Sequence, residues 1–495
     1  MIGIVESRAD DASERICEQL RRIGEFEERT DTDLPEAAGG GTVYRSEAFE
    51  LRSFDDLHLE LDDVAETFDD PAFLVFASRH AGDTGPLLSA HVTGNFGDAE
   101  YGGANRSLAR APPNALAAVV DRLAVHAPEA YDVSLECTHH GPTEVGAPSM
   151  FVELGSGPDE WTDDAGAAAV ARAILDLAET PADGPIIDAP AEGAGAGTHC
   201  RHVVGFGGGH YAPRFTRIAR ETDWAVGHVA ANWSLDELGA PSANADVIQA
   251  AFEQSRATHA VVEGNHPRLT TAIEDLGHRV VSETWVQETT GVSLPIVEEL
   301  EERLCSVDDG LRFGAPAREN GETAGDASGT AADARRTAPE ATSTGQPSNV
   351  LDDAKMVELP SELLEAATNV DREATMTVLS ETALAFETTE GGTRPGDRGC
   401  FPGEGISESV VEGLATILRE RYDSLTVEAD RIVAEETAFD PALASEAGVP
   451  EGPAFGKLSA GETVEVDGQT VEPTDVHEQR EVAFELSSRT GADDE

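Results

Sequence analysis

The sequence predicts an α/β fold with a doubly wound mixed sheet, followed by a smaller α+β module. Short apolar runs alternate with helical patterns as far as about residue 310, which is typical of a sheet covered by helices. A stretch without hydrophobic periodicity, rich in Gly, Ala, Ser and Thr, then precedes a second set of strand and helix patterns. We therefore predict a first domain at 1–312, a flexible low-complexity linker at 313–350, an accessory module at 351–486 and a frayed tail at 487–495.

The first half of this domain follows from the spacing of its apolar residues. Met1–Val5 is predicted to be a strand, and the next helix carries Ile16, Leu20 and Ile23 on one face. The continuous apolar run Phe73–Ala77 is typical of a strand that is buried on both faces. Four later segments are also predicted to form strands: HVVGF, WAVGHVA, THAVVEG and HRVVSETW.

Turn and cap residues position the other elements. A helix is predicted after Pro112-Pro113, since proline suits the first helical turn. The run VSLEC alternates as a strand that reaches Cys137, and Thr162 is the predicted N-cap of a later helix. In the accessory module we predict a strand in TMTVLSETALAF, a helix at Ser407–Tyr422 and a hairpin around Asp467-Gly468.

The charge of the chain indicates the solvent in which it works. There are 95 acidic residues against 34 basic ones, for a formal net charge of −61, and the acids are spread along the whole chain. Such a charge destabilises a compact state by self-repulsion, but at molar salt the Debye length falls to about 3 Å and the repulsion is screened. We therefore predict a halophilic protein, and the acidity does not exclude a nucleic-acid partner.

Composition also narrows the compartment and the class of site. No run of 18 apolar residues is present, so we expect no membrane partner, and the N-terminus lacks the pattern of a signal peptide. The expected location is the cytoplasm, and the expected assembly is a monomer or a small homo-oligomer. The five cysteines form no Cys-x-x-Cys pair, which argues against a disulfide framework and a cysteine zinc finger.

Histidines follow one predicted strand after another, often in glycine-rich loops. Because ligands bind at the carboxyl ends of strands in open α/β sheets, these histidines are expected to form one functional site. The set is His80, His139, His140, His210 and His228. A single loop histidine is more often an ordinary surface residue. Cys137, beside His139, could be a thiol nucleophile, but a strand cysteine is more often a small buried hydrophobic residue.

A metal is one role for these histidines. Neutral imidazole suits zinc, and a catalytic zinc keeps three protein ligands and an open position. In an extended chain His139 and His140 point to opposite faces, so two nearby sites, or one ligand and one general base, both fit. Glu153 follows the HHGP turn and could return a carboxylate to the same place.

Two glycine-rich segments could cradle phosphate through backbone N–H groups. They are Thr93–Arg106 and GFGGGHYAPR. Arg79, Arg106 and Arg214 could add charge-assisted contacts to phosphate. Neither segment is a Walker A or a GxGxxG fingerprint, so no nucleotide cofactor is implied.

Several long motifs together resemble one known family. SRHAGDTGPLLSAHVTGNFG, ECTHHGPTEVGAPSMFVELGS followed by EWTDDAG, GFGGGHYAPR and WAVGHV are similar to the archaeal-type D-aminoacyl-tRNA deacylases, which also occur in plants. The resemblance covers roughly residues 1–305. It implies a fold like those of peptidyl-tRNA hydrolase and purine nucleoside phosphorylase. It also implies hydrolysis of the ester between a D-amino acid and the tRNA 3′ end, a chiral proofreading reaction that depends on one zinc ion or two.

The resemblance favours a set of site residues without assigning a role to each: Thr138, His139, His140, Glu153, His80, His210, Tyr211 and His228. The expected catalytic residues are Thr138, His139, His140, His210 and Tyr211. The expected metal ligands are His80, His139, His140, Glu153 and His228. Contacts with the acceptor end of D-aminoacyl-tRNA are expected from Arg79, Arg106 and Arg214, with base stacking on Tyr211, Trp224 or Trp233.

Two other functions remain open at this point. A nucleoside phosphorylase-like or aminohydrolase-like enzyme would share the fold but act on a small molecule. A non-catalytic tRNA-binding protein would bind without turnover and would leave the histidines unexplained. The accessory module weakly resembles a segment of zinc-dependent tRNA 3′-end-processing endonucleases. Because it lacks their His-x-His-x-Asp-His motif, we predict substrate handling or stabilisation for it, and no nuclease activity.

Overall fold

The structure is a computed structural model that describes residues 1–183, 201–319, 351, 353–403, 408–466 and 468–486. The chain forms two compact units, the first of which is Met1–Gly291, while the second begins at Val292. This division precedes the end of the predicted first domain at residue 312. Most of the predicted linker, and the predicted tail at 487–495, lie outside the described residues.

The first unit alternates strands and helices along most of its length. Its strands are β1 (Ile2–Ser7), β2 (Glu27–Asp31), β3 (Gly41–Arg45), β4 (Phe49–Phe54), β5 (Phe73–Arg79), β6 (Leu87–His91), β7 (Asp132–Leu135), β8 (Ser149–Gly155), β9 (His202–Phe206), β10 (Ala225–Ala230), β11 (His259–Val262) and β12 (Arg279–Val281). Its helices are α1 (Asp11–Ile23), α2 (Pro113–His126), α3 (Pro158–Trp161), α4 (Asp164–Leu175), α5 (Pro213–Glu221), α6 (Asn232–Leu238), α7 (Ala245–Ser255), α8 (Pro267–Asp275) and α9 (Glu283–Glu288). The predicted α/β class is confirmed.

Two sheets organise these elements. The larger has the order β2-β3-β4-β1-β5-β8-β6-β7, and β1, β4, β5 and β8 run parallel at its centre. β6 is antiparallel to β8 and parallel to β7, so the sheet is mixed, as predicted. The second sheet is fully parallel, with the order β10-β9-β11-β12.

The core explains why the apolar runs became strands. The first six residues of β5 and all seven of β8 are buried, as the continuous apolar run predicted for a strand covered on both faces. Helices α1 and α4 pack against each other, and α1 lies on β5 while α4 lies on β8. The Asp10 side chain caps α1, accepting from the Ala12 and Ser13 N–H groups.

Two boundary predictions in the first unit were wrong. The N-cap of α4 is Asp163, one residue after Thr162, because its carboxylate accepts from the N–H groups of the first helical turn. Strand β7 ends at Leu135, before Cys137. There the backbone turns to the second sheet: the Cys137 N–H donates to the His210 carbonyl at 2.8 Å and the Thr138 N–H to the Val229 carbonyl at 2.8 Å.

The second unit is α+β. Its strands are β13 (Leu311–Phe313), β14 (Ala354–Glu358), β15 (Ala385–Thr389), β16 (Arg394–Pro402), β17 (Ser424–Val427), β18 (Arg431–Phe439), β19 (Val464–Val466), β20 (Gln469–Val471) and β21 (His477–Glu485). Its helices are α10 (Leu294–Arg303), α11 (Ala315–Glu319), α12 (Ser361–Val370), α13 (Arg372–Thr382), α14 (Glu408–Leu418), α15 (Pro441–Glu446) and α16 (Pro453–Ser459). All its described sheets are antiparallel: β13-β15-β16-β14, β17-β18-β21 and the hairpin β19-β20.

Sequence patterns in this unit were partly misleading. The segment TMTVLSETALAF was predicted to be a strand, but its first half lies in α13 and only its end enters β15. The Asp371 carboxylate caps α13 by accepting from the Ala374 N–H at 2.9 Å, and this local bond favours the helix despite the β-branched residues. The helix predicted at Ser407–Tyr422 is α14, and β19 and β20 form the predicted hairpin. Among the described residues, no helix is long and apolar enough to cross a bilayer.

Candidate active site

Buried carboxylates and histidines converge where the two sheets of the first unit meet. We call this set the histidine–carboxylate cluster. Its members are His80, His91, Glu136, His139, His140, Glu153, His210 and Tyr211. Its floor is buried, whereas His139, His140, His210 and Tyr211 are partly exposed and form its rim. The cluster is therefore a charged interior that opens to solvent through imidazole and phenol groups.

Two ionised carboxylates form the floor. Glu136 is 2% exposed and accepts from His210 Nε2 at 2.8 Å, while its other oxygen lies 3.0 Å from His80 Nδ1. Burial acts to raise the pKa of Glu136, but the hydrogen bonds from His210 and His80 hold that pKa well below its usual range. Glu153, 3% exposed, lies 3.5 Å from His80 Nδ1. Burial acts to raise the pKa of Glu153, but His80 and His91 lower it below its usual value.

His80 is the cation that balances these charges. Burial acts to lower the pKa of His80, but the bonds to Glu136 and Glu153 dominate and raise it to about 11. His80 is therefore an imidazolium with two N–H donors. Its Nε2 lies 2.9 Å from the Tyr211 phenol oxygen, which accepts this bond and so has its own proton to donate elsewhere.

The HHGP turn presents two neutral imidazoles. His139 Nδ1 donates to the Cys137 carbonyl at 2.8 Å, and His140 Nδ1 donates to the Gly141 carbonyl at 2.7 Å. In both rings Nε2 therefore carries the lone pair. Burial, together with the neighbouring His91, holds the pKa of His139 well below its usual range and lowers that of His140 to about 4.

The glycine-rich loop Thr93–Arg106 supports this turn and does not form the expected open phosphate cradle. The Gly94 N–H donates to the His140 carbonyl at 2.9 Å, and the Gly141 N–H donates to the Tyr101 carbonyl at 2.9 Å. The Ala104 N–H is bonded to Thr143 Oγ1 at 2.9 Å. These N–H groups are used within the protein, so the loop acts as a clamp on the imidazole-bearing turn.

Gly141→Ala is expected to destabilise the first unit by about 1–3 kcal/mol, a typical cost of overpacking, and to slow turnover. A Cβ at Gly141 would lie 2.3 Å from the Gly103 nitrogen, so the clamp or the turn must move. Thermal unfolding and hydrolysis rates measure both effects. Gly456→Ala is the matched control, because it lies within α16, its Cβ would meet nothing within 4 Å and alanine favours a helix. Equal behaviour of the two variants would contradict the clamp.

The strands that carry the cluster do not all run in the same direction, so its residues do not all lie at the carboxyl ends of parallel strands. The sequence predicted that all site residues would gather at the carboxyl ends of parallel strands. His80 does follow the carboxyl end of β5, but His91 ends β6, which runs antiparallel to β8. Glu153 lies in the middle of β8, opposite Ser89. The site therefore spans a face of the mixed sheet, and the antiparallel strand brings His91 back towards the chain at Glu153.

Thr138 and His228 form a separate, buried pair. His228 Nε2 donates to the Ala109 carbonyl at 2.8 Å, and its Nδ1 lies 3.0 Å from Thr138 Oγ1, which also accepts the Val229 N–H at 3.0 Å. Both nitrogens of His228 are therefore used, and this residue lies outside the groups that could hold a metal. The geometry gives Thr138 and His228 the role of joining the two sheets.

The three arginines expected at tRNA have different surroundings. The Arg79 guanidinium lies 5.2 Å from the centre of the Trp161 ring. Arg106 donates to Asn244 Oδ1 at 2.8 Å. Arg214 forms ion pairs with Glu263 at 3.3 Å and with Glu283 at 3.1 Å, so its charge is largely balanced.

Trp224 and Cys137 do not have the roles that the sequence left open for them. Trp224 is fully buried, so the expectation that it stacks on bases was wrong. The Cys137 sulfur lies 3.7 Å from His210 Nδ1. However, burial and the charge of Glu136 raise the pKa of Cys137 to about 12, which disfavours a thiolate nucleophile.

Three groups of residues in and beside the cluster could hold a metal, and the first two share His139. They are His91, His139 and His140; Cys137, His139 and His210; and His80, Glu136 and Glu153, with ligand atoms within 4.8 Å of one another in each. The first group consists of three imidazoles, each with its Nδ1 bonded to a backbone carbonyl, as is typical of metal-ligating histidines. Nε2 of His139 and of His140 carries a lone pair. His91 Nε2 makes no hydrogen bond in the described residues and lies 3.6 Å from Glu153 Oε1. Burial acts to lower the pKa of His91, but Glu153 outweighs it and raises that pKa, so His91 would have to release its Nε2 proton to bind a metal.

Comparison with known proteins places this chain in a family. A family model described as D-aminoacyl-tRNA deacylase matches residues 67–281. A D-aminoacyl-tRNA deacylase of Natronomonas pharaonis is 50% identical over 98% of this chain and 100% of its own length. That of Halorubrum lacusprofundi is 49% identical over 99% of this chain and 98% of its own length. The chain belongs to the D-aminoacyl-tRNA deacylase family. The resemblance inferred from the motifs is confirmed.

The D-aminoacyl-tRNA deacylase family match has two structural consequences. Residues 67–281 contain every member of the histidine–carboxylate cluster, so the cluster lies within the matched part. A crystal structure of a conserved protein of unknown function is 27% identical, with a TM-score of 0.50, and covers 59% of this chain and 98% of that one. The haloarchaeal deacylases, in contrast, match nearly the whole chain, including the second unit.

Sequence reasoning missed two members of the cluster in this deacylase family member. His91 stands in the quoted motif after the Phe73–Ala77 strand but was left out of the set of five histidines. Glu136 was not selected, although it lies in the strand-like run VSLEC directly before the paired histidines. A carboxylate that interrupts an apolar run, three residues from a histidine, was the available signal for it.

Proposed function

We propose that this protein hydrolyses the ester bond between a D-amino acid and the 3′ end of tRNA. The observation that carries the proposal is the cluster itself. Neutral imidazoles and the Tyr211 phenol lie at its partly exposed rim, and the buried His80 imidazolium donates to Tyr211 above two buried carboxylates. An ester is already activated, so its hydrolysis needs a base for water and a donor for the developing oxyanion. Both kinds of group are present within one cluster.

The rim residues divide this work. The Nε2 lone pair of His139 or His140 accepts a proton from water, because both rings are neutral and partly exposed. The Tyr211 phenol, whose oxygen accepts from the His80 imidazolium, donates its proton in a hydrogen bond to the carbonyl oxygen as that oxygen becomes negative. Glu136 orients His210 and His80 and keeps His80 charged.

We propose zinc as the metal, held by His91, His139 and His140. When bound, zinc supplies a Lewis acid for the ester carbonyl and lowers the pKa of a water molecule to about 7. If all three rings hold the metal, their Nε2 lone pairs would not be available to accept a proton. The base would then be another rim group, such as His210, which is hydrogen-bonded to Glu136.

The substrate would reach the cluster from the side of its exposed rim. Arg106 is suited to a phosphate contact, since its bond to the neutral Asn244 leaves its charge available. Arg79 and Arg214 remain proposed contacts, although Arg214 would have to exchange one of its carboxylate partners. At molar salt such contacts are weak, because affinity from counterion release falls with rising salt.

The deciding experiment follows release of labelled D-tyrosine and L-tyrosine from charged tRNA in molar KCl, with and without a chelator. We expect D-selective release that the chelator abolishes and added zinc restores. D-selective release that is unchanged by the chelator would support the proposed function and contradict the proposed role of a metal. Binding of tRNA without release would favour a non-catalytic tRNA-binding protein, and activity on a nucleoside alone would favour a phosphorylase-like or aminohydrolase-like enzyme.

In the metal-free protein, the imidazoles of His139 and His140 are expected to stay neutral from about pH 8 down to about pH 5.5, beyond the range of an ordinary histidine. The pKa of His140 is lowered to about 4 and that of His139 lies well below its usual range. The neutral form is lost only as pH falls through the folded-state pKa. NMR titration of the two rings in the chelator-treated protein, checked for folding at each pH, measures this. A titration midpoint near pH 6.5 for either ring would contradict the assignment.

A further inference from the structure

Exposed aromatic side chains are scarce in this protein, and both of them border the histidine–carboxylate cluster. Within the described residues, the exposed large hydrophobic side chains include two aromatic ones, Tyr101 at 67% and Trp233 at 42%. The others, Val125, Met356 and Val427, are aliphatic. Exposing an aromatic ring to water is unfavourable, so a ring that stays exposed beside a candidate site is often covered by a bound partner.

Tyr101 is held next to the HHGP turn by backbone bonds. Its carbonyl accepts the Gly141 N–H at 2.9 Å, directly after His140. Asn95 Nδ2 donates to the Gly102 carbonyl at 3.0 Å and so fixes the following residue. The backbone is therefore held at Tyr101 itself and at the residue after it, and the exposed ring of Tyr101 projects from an anchored part of the loop.

Trp233 borders the cluster from the other sheet. It lies in the first turn of α6, which follows β10, and its indole N–H donates to the Cys137 sulfur. Cys137 in turn lies 3.7 Å from His210 Nδ1, so one side chain separates Trp233 from the rim of the cluster. The loop that carries Tyr101 also reaches α6, since a Cβ on Gly97 would lie 2.6 Å from the Glu237 Cβ. The two rings therefore stand on neighbouring elements.

The charges around these rings do not favour phosphate. Asp98 and Glu100 flank Tyr101 in sequence, and Glu237 lies on α6, where its pKa is raised by burial and by those two carboxylates. These carboxylates offer no favourable contact to a phosphate, whereas the uncharged faces of bases can stack on the two rings. Stacking also persists at high salt, where phosphate contacts weaken. Charge and exposure together select flat, uncharged rings as the partner.

We propose that Tyr101 and Trp233 form a stacking surface for the unpaired bases at the 3′ end of tRNA, and so position the terminal ester over the cluster. The inference rests on the proposed function and extends it by naming the part of the substrate that is bound and the residues that bind it. Every base has a π-face, so the surface accepts the common 3′ end of all tRNAs without reading their sequence.

The test measures binding and turnover separately, in molar KCl. Uncharged tRNA with its unpaired 3′ end, and the same tRNA with that end removed, are titrated against wild type, Tyr101→Ala, Tyr101→Phe, Trp233→Ala and Trp233→Phe. Each alanine variant is expected to weaken binding of the intact tRNA about tenfold, as for loss of one stacked base. Each phenylalanine variant should bind more tightly than the matching alanine variant, because phenylalanine keeps an aromatic face on which a base can stack. Val125→Ala is the control for loss of an exposed apolar side chain in α2.

The outcomes distinguish this inference from the proposed function. Tight binding that depends on the 3′ end and on the two rings supports the stacking surface, whether or not the charged tRNA is hydrolysed. Equal affinity of the alanine variants and wild type, or of intact and trimmed tRNA, would overturn it even if D-selective hydrolysis is observed. With D-tyrosyl-tRNA, the alanine variants should raise KM about tenfold, in step with the loss of binding.

Discussion

Glu136→Gln is expected to lower the hydrolysis rate about 100-fold, the upper range for loss of a group that orients site residues. The carboxylate contacts His80 at 3.0 Å, His210 at 2.8 Å and His139 at 3.8 Å, so three rim or floor histidines depend on it. Glutamine keeps the shape but loses the charge, and its amide N–H groups face N–H donors. Single-turnover release of D-tyrosine from charged tRNA gives the rate.

The same substitution should also change a protonation state, which a purely structural role would not do. Glu136 helps to raise the pKa of His80 to about 11, so Glu136→Gln is expected to lower that pKa. NMR titration of the His80 ring measures it. The exposed Glu129 supplies the control Glu129→Gln, which should leave both rate and titration unchanged. A near-wild-type rate in a folded Glu136→Gln protein would refute the role given to this carboxylate.

The contribution of Glu136 to the free energy of unfolding is expected to decrease as pH falls. The pKa of Glu136 in the folded protein is depressed, so its contribution to stability is present above the unfolded value of about 4.3 and is lost as pH falls. Removing one partner of a buried ion pair, as Glu136→Gln does, typically lowers the free energy of unfolding by about 3–5 kcal/mol. Unfolding of Glu136→Gln measured at pH 7 and at pH 4 should therefore show a smaller difference from wild type at the lower pH.

His139→Ala and His140→Ala are each expected to lower the hydrolysis rate about 1,000-fold, within the range for loss of a general base. Each ring presents an Nε2 lone pair at the rim of the cluster, and their centres lie 4.4 Å apart. If the rings also hold zinc, the purified variants should contain less metal than wild type, and so should His91→Ala.

Metal content and rate together separate the two roles. If a histidine serves only as a base, its alanine variant should have a lower rate and a normal metal content. If the histidine is a ligand, its alanine variant should have both a lower rate and a lower metal content. His126→Ala is the matched control, because His126 is a partly exposed histidine on α2 paired with Asp176 at 2.9 Å. Near-wild-type rates for both His139→Ala and His140→Ala would exclude the mechanism proposed above.

The agreement between sequence and structure is best where local pattern decides the outcome. The run Phe73–Ala77 became the buried strand β5, and the proline pair at 112 and 113 starts α2, because burial and the first helical turn depend on neighbouring residues. The strand predicted in TMTVLSETALAF was wrong for a local reason as well. The β-branched residues favour a strand only weakly, and the helix cap at Asp371 outweighs that preference.

The site shows the limit of local pattern. The sequence alone determined the family through its long motifs, the α/β class through its alternating runs and the halophilic character through its charge. It also made His139 and His140 candidate site residues through their unusual pairing. Only the tertiary structure decided that Glu136 and His91 complete the cluster and that His228 belongs to a buried pair with Thr138. The physical reason is that a side chain's role depends on what lies opposite it. Here the reversal of β6 against β8, and the crossing of 136–138 to the second sheet, set those neighbours through contacts that residues far apart in sequence make.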